Sequence, residues 1–327
     1  MASASPTRRK FMLGAVAAPF IVRGARAQTF PSRPIRMVIG FPAGGGIDIL
    51  ARLIAPKMAE RLGQPVIVEN RAGANGLIAT QGVAQADADG YTVLFGTLGN
   101  LALNQLLYVG RPGIDMEKDF TPLSHVASLP FTLTVNSEVP AKSVKELIDL
   151  AKARPDRIYF GSSGKGGLPH LCGELLNLQA GIKTVHVPYR GSAPAFTDLA
   201  SGQVQYIFDA YATALPFIQS GRIRLLATTE PTKLNALSGV PPVRDTLPDF
   251  DVGNWYGMVV RAGTPRAAVS RLSEEVAHAL RQPDVAERAD TLGFELIGTS
   301  PEVFGTFQRK EIARWAAVVK AAGIEIE

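Results

Sequence analysis

The chain has 327 residues, 46% of them hydrophobic and 19% charged; this is long and apolar enough for one or two packed domains and does not suit a disordered chain. The formal charge of +5 comes entirely from Arg8, Arg9, Lys10, Arg23 and Arg26 in an acid-free opening stretch, so residues 28–327 are formally neutral. No basic surface is implied, and no nucleic acid is expected as a partner.

Residues 1–27 read as an export signal. TRRKFML carries paired arginines, GAVAAPFIV is a short apolar run, and Ala25-Arg26-Ala27 fits an A-x-A cleavage site. The apolar run is too short to span a bilayer as a mature helix. The expectation is export to the periplasm by the twin-arginine route, with cleavage after Ala27. An ordinary secretory signal and an uncleaved anchor are the alternatives. The lone Cys172 excludes an internal disulfide, so the core must suffice for stability.

Beyond the leader, short apolar runs alternate with helical patterns. Strands are predicted at 35–41, 66–69, 91–97, 131–135, 158–161, 184–187, 206–209, 225–229 and 257–261. Helices are predicted at 48–62, 143–153, 170–179, 194–201, 264–280 and 301–322. Gly63 follows the first helix as a C-terminal stop, and Ser300-Pro301-Glu302 supplies a cap, a first-turn proline and an acid for the last. Such alternation predicts parallel βαβ units in doubly wound α/β sheets, and the mature length suits two lobes joined by a hinge. Residues 124–130 are expected to lead into the second lobe and 231–251 to carry the chain back. Domain 1 is then 28–128 plus 252–327 and domain 2 is 129–251, with crossings near 124–130 and 245–253.

Ligands of open α/β sheets bind where the βα loops gather, at the carboxyl ends of strands. Four such loops are dense in small and polar residues: FPAGGGID, GTLGN, GSSGKGGLPH and VPYRGSAPA. Most run into a helix start, where free amides and the helix dipole favour an anion. Gly44, Gly45 and Gly46 either grip a ligand or merely turn the chain. Asp48 either bonds loop amides, holds a water or meets a cationic part of the ligand. Ser162 and Ser163 are candidate hydroxyl donors. Tyr189, Arg190, Lys165 and Asp209 are candidates for lining the site, each with a bland reading as core, solvated charge or helix cap.

Catalytic patterns fail. GSSGKGG lacks the glycine and the hydroxyl residue that a P-loop needs, and it places Lys165 where a nucleophile elbow needs glycine. His170 and Cys172 stand two apart, so on a helix they point away from each other. His125, His170, His186 and His278 show no metal-ligand spacing, and neither a metal nor a cofactor is expected.

The ordered set of a twin-arginine leader, PxGGGxD, GSSGxGxxxH, VPYRGSAPAFTDLASGQV and WYGMVVRAGTP resembles the tripartite tricarboxylate transporter substrate-binding proteins, the Bug family of periplasmic receptors. The likeness spans nearly all of the mature chain. It implies a periplasmic-binding-protein-like Venus flytrap, probing for a small organic acid: a di- or tricarboxylate, an acidic amino acid or an aromatic carboxylate. It also implies delivery to a membrane permease, without catalysis, by a monomer. By position, the family's site falls on Phe41, Ala43, Gly44, Gly45 and Asp48, then on Thr97 and Asn100. In the second lobe it falls on Gly161, Ser162, Ser163, Gly164 and His170, on Tyr189, Arg190, Gly191 and Ser192, and on Asp209. Lys165 departs from the small or apolar residue expected there; facing inward, it would favour a second carboxylate. Two other readings remain: a receptor that presents its ligand to a sensor kinase, and an exported α/β enzyme using Ser163 or Cys172.

Overall fold

The computed structural model describes residues 1–2, 30–107 and 114–322. The expected export signal and its cleavage site lie outside these residues. In chain order the strands and helices are β1 (Ile35–Ile39), α1 (Gly46–Leu62), β2 (Val66–Asn70), α2 (Leu77–Ala84), β3 (Thr92–Thr97), α3 (Asn104–Leu107), α4 (Met116–Asp119), β4 (Phe120–Asn136) and α5 (Val144–Ala153). There follow β5 (Tyr159–Ser162), α6 (Leu168–Ala180), β6 (Val185–Pro188), α7 (Ser192–Ala200), β7 (Tyr206–Ala210), α8 (Tyr211–Gln219) and β8 (Ile223–Thr228). The chain ends with β9 (Gly253–Arg261), α9 (Arg266–Leu280), α10 (Pro283–Thr291), β10 (Glu295–Leu296) and α11 (Pro301–Ala322).

Two parallel sets, β2-β1-β3 and β7-β5-β6, are joined by two antiparallel strands, in the order β2-β1-β3-β9-β4-β7-β5-β6. The result is two α/β lobes on one curled sheet. The purely parallel pattern predicted from sequence finds part of each of these two strands, at 131–135 and 257–261, but misses their antiparallel pairing and their length. Residues 124–130, expected only as a connection, are part of the long strand β4.

Strand β4 changes partners in mid-course. From Phe120 to Pro130 it pairs with β9; from Phe131 onward it pairs with β7 and β8. Pro130 has no N–H to continue a ladder, so the switch falls where the backbone lacks a donor. Thr229 ties the crossing. Its hydroxyl accepts the Phe131 amide at 2.9 Å and its own amide bonds the Phe131 carbonyl at 2.9 Å. The Val252 amide, on the returning segment, bonds the Thr229 carbonyl at 3.4 Å.

The helices form where their apolar stripes meet the sheet. On α1 the buried residues Ile47, Leu50, Ala51, Ile54, Met58 and Leu62 recur at helical spacing. Gly63 ends the helix at φ +66°, donating its amide to the Ala59 carbonyl at 3.0 Å. α5 is closed by a reciprocal cap: Ser143 Oγ accepts the Glu146 amide, and Glu146 accepts the Lys142 amide. Sequence reading passed over α2, α8 and α10, each of eight or nine residues.

On α6, Gly173 lies flat on the fully buried Phe160 of β5. A Cβ added there would stand 2.2 Å from the ring. Gly173→Ala is expected to lower stability by about 1–3 kcal/mol through overpacking, although alanine is the better helix former. The check is the midpoint of denaturant unfolding at unchanged slope. A midpoint at or above that of the unsubstituted chain would show that Phe160 has room to yield.

Candidate functional site

The three glycines after β1 have three different duties. Gly44 sits at φ +85°, a region that side chains rarely adopt. Gly45 caps α1 with extended backbone and no side-chain hydrogen bond. Gly46 leaves room for two neighbours: a Cβ there would stand 2.8 Å from both the Ala210 Cβ at the end of β7 and the Tyr256 hydroxyl of β9.

The same device recurs in the second lobe. α6 begins after Gly167 and α7 after Gly191, again with no side-chain cap. Three helices thus start with uncapped first-turn amides, and the residues at all three starts line one cleft. From the first lobe come Phe41, Pro42, Gly45, Gly46 and Ile47, with Thr97 and Gly99 after β3. Ser163, Leu168 and Pro169 face them from the start of α6, and Ser192 and Asp209 from α7 and β7. Asn75, Phe131, Asn254 and Tyr256 complete the walls. The space between these residues is about 40 Å³.

Among the described residues no lysine or arginine lines this cleft, and the only carboxyl lining it is that of Asp209. Asp209 Oδ2 accepts from Ser192 Oγ at 2.7 Å and Oδ1 accepts the Ala210 amide at 2.7 Å. Burial nevertheless pushes the carboxyl up to about 6.

Several sequence-predicted residues stand behind the cleft rather than in it. Asp48 is 3% exposed. Its carboxylate accepts from the Gly44 amide, Arg52 Nε and Asn70 Nδ2 at 2.9–3.0 Å. Burial acts to raise its pKa, but these donors together hold the carboxyl below its ordinary value. It therefore fixes the glycine loop. Asn100 is buried, accepts the Thr97 amide at 2.8 Å and donates to Thr80, so it orients the β3 loop from below. Ser162 is buried, and its hydroxyl meets His186 Nε2 at 2.6 Å and bonds within the Gly164 turn. His170 accepts the Gly166 amide on Nδ1 at 3.1 Å and stacks on His186 at 3.9 Å. Gly161 is buried against Ile207, while Ala43 and Gly44 lie exposed outside the cleft.

A second, outer cavity of about 390 Å³ shares Phe41, Pro42, Asn75 and Ser163 with the cleft. Gly164, Lys165, Tyr189, Arg190 and Gly191 line it. Asn75 stands between the two spaces, with its Nδ2 donating across the lobes to the Gly166 carbonyl at 3.4 Å and to Asn104 at 3.0 Å.

The structure thus brings Phe41, Gly45, Thr97, Ser163, Ser192 and Asp209 into the cleft. Sequence reading missed Asn75, Asn254 and Tyr256. A signal existed for Asn75 in the turn-rich stretch RAGANG, where Ala74 and Asn75 take φ of 46° and 50°. Asn254 and Tyr256 lie in the stretch GNWYGMVV and flank one face of β9. Among the described residues no group of three or more His, Cys, Asp or Glu side chains is placed to hold a metal, and no helix is long and apolar enough to cross a membrane.

The profile of the Tripartite tricarboxylate transporter family receptor matches residues 50–324. A protein of Pseudomonas sp., described as UPF0065 protein in the tcbD-tcbE intergenic region, is 36% identical over 95% of this chain and 94% of its own length. The solved structure of R. palustris Rpa4515 with adipate is 37% identical at a TM-score of 0.87, covering 90% of this chain and 99% of that one. MatC from Rhodopseudomonas palustris with bound malate is 33% identical at a TM-score of 0.83, covering 89% and 100%. The chain belongs to the tripartite tricarboxylate transporter receptor family, and its fold is that of periplasmic binding proteins.

Proposed function

We propose that this chain is an extracytoplasmic receptor that closes two lobes on a small organic carboxylate and hands it to a membrane permease. The observation that carries the reading is the convergence of three uncapped helix starts on a cleft free of cations. Amides at helix starts bind anions without a counter-charge, and each charge-assisted bond contributes roughly 1.5–3 kcal/mol. The relatives solved with adipate and malate point to the same ligand class. In this reading residues 28–128 plus 252–327 form one lobe and 129–251 the other, and bending falls at the crossings near 124–130 and 245–253. Export by the twin-arginine route with cleavage after Ala27, and action as a monomer, belong to the same proposal.

Catalysis has little to work with. Cys172 is fully buried, and burial pushes its thiol far above the ordinary range. Two close serine–histidine pairs, Ser162 with His186 and Ser128 with His125, both lie outside the cleft lining. Burial, and then the neighbouring His170, push His186 down to about 4.

The direct test is calorimetric titration of mature protein, unfolded and refolded to strip carried ligand, against mono-, di- and tricarboxylates, acidic amino acids and aromatic acids. Saturable, reversible binding without product is expected; turnover of a bound acid would sink the proposal. Gly45→Val should abolish binding while the chain stays folded, because a Cβ there meets nothing closer than 3.9 Å and projects toward the cleft. Unchanged affinity in that variant would reduce the glycine to a turn former.

Affinity should also depend on pH. Asp209 is protonated below about 6 and charged above it. A bound carboxylate opposes that charge, so binding takes up a proton and weakens as pH rises past 6. The expected loss is about tenfold for each pKa unit by which the ligand raises Asp209. Titrations at pH 5 to 8 read this directly, and Asp209→Asn should flatten the profile. A flat profile in the unsubstituted chain would place the ligand away from Asp209.

A further inference from the structure

Two cations share the outer cavity. Lys165 follows β5 and Arg190 follows β6, and both side chains line the same space of about 390 Å³. Both are exposed. Among the described residues neither makes an ion pair or a side-chain hydrogen bond. No acid lines this cavity. That pairing stands out in a chain that is formally neutral over residues 28–327, where most cations near an acid are matched, as Arg36 and Arg71 are with Glu69. The charge of Lys165 also reaches inward, where it contributes to lowering His186.

The cavity adjoins the cleft. Phe41, Pro42, Asn75 and Ser163 border both it and the cleft, so the two spaces are neighbours across one thin layer of residues. The inner space offers amides and hydroxyls, enough for one carboxylate, and its far wall carries Asp209, which disfavours a second anion. An extended ligand held by its first carboxylate in the cleft therefore has one direction in which further negative charge is stabilised: outward.

We propose that Lys165 and Arg190 form a distal anion site and make the receptor selective for extended acids that carry a second anionic group, over monoacids of the same length and over compact diacids whose two carboxylates must share the inner cleft. This rests on the carboxylate-receptor reading and adds the part of specificity that the cleft itself does not supply. Partly exposed cations hold an anion weakly one at a time. Two of them lining one cavity give a larger and salt-sensitive preference.

The test pairs α,ω-diacids from succinate to suberate with the monoacids of equal carbon number, titrated at low and high salt. The chain should bind the longer diacids at least tenfold more tightly than their monoacid partners, with the gap narrowing as salt rises. Lys165→Met combined with Arg190→Met should remove most of that gap by weakening the diacids, while monoacid affinity shifts less than twofold. Lys165→Arg should retain the preference. Equal affinity for diacid and monoacid, a double variant that weakens both equally, or a loss confined to the association rate would each overturn the distal site while leaving a carboxylate receptor in place. If the folded chain bound none of these acids or any other carboxylate of the wider panel, the receptor reading itself would fall, and the distal site with it.

Discussion

A backbone amide meets an anion only where no side chain stands in front of it, and it is free to do so only where no cap has taken it first. Much of this structure follows from that constraint. Gly45, Gly167 and Gly191 each occupy the position where serine, threonine or aspartate would ordinarily cap a helix. The first-turn amides at these starts are left without a side-chain acceptor, at a cost in helix stability that packing must offset. The offset is visible in the buried stripe of α1, in the closure of that helix by Gly63, and in the core that spans both lobes. Asp48 then holds the most glycine-rich of the loops in one shape, through bonds to Gly44, Arg52 and Asn70.

The same small residues that free the amides let the lobes come together. Gly46 faces Ala210 and Tyr256, and Gly191 faces the Pro42 ring, where an added Cβ would stand 2.7 Å away. Larger side chains at these places would prop the cleft open. Recognition and closure therefore depend on one set of residues, and a substitution meant to perturb one of them also touches the other. The connection between the lobes is narrower. β4 and β9 run together up to Pro130 and Gly253, and Thr229 ties both segments at that point. In the proposed receptor, bending confined to so few residues would leave the parallel strands of each lobe undisturbed and the three helix starts in shape.

The sequence showed the loops well and their insides poorly. Glycine runs at strand ends mark where the backbone turns toward a ligand, because few other residues adopt those conformations; Gly44 and Gly191 bear this out with φ of 85° and 118°. A polar residue beside such a run carries no comparable sign of direction. Asp48, Asn100, Ser162 and His170 have the same chemistry as cleft residues, yet tertiary packing turns them toward their own loops. Asn254, Tyr256 and Phe131 reach the cleft from β9 and β4, and the strictly parallel expectation had no place for these strands as partners. A strand's carboxyl end announces itself through its loop. A wall supplied from the middle of an antiparallel strand leaves only an apolar alternation, which a core strand shares.

Charge is sorted along the path from solvent to cleft. Among the described residues, cations line the outer cavity, neutral dipoles line most of the inner space, and Asp209 is the inner space's one acid. An inner lysine or arginine would bind a carboxylate more strongly at first sight, but it would also face Asp209 across a few ångströms of apolar surroundings. Such a pair would neutralise itself and hold the lobes shut with no ligand present. A receptor of this kind must gain closure from its ligand, and a ligand shifts an equilibrium only by its different affinity for the two states. Amides and hydroxyls attract an anion without attracting each other strongly, so they leave the unliganded cleft little reason to close. The absence of inner cations among the described lining residues thus suits the coupling of binding to closure.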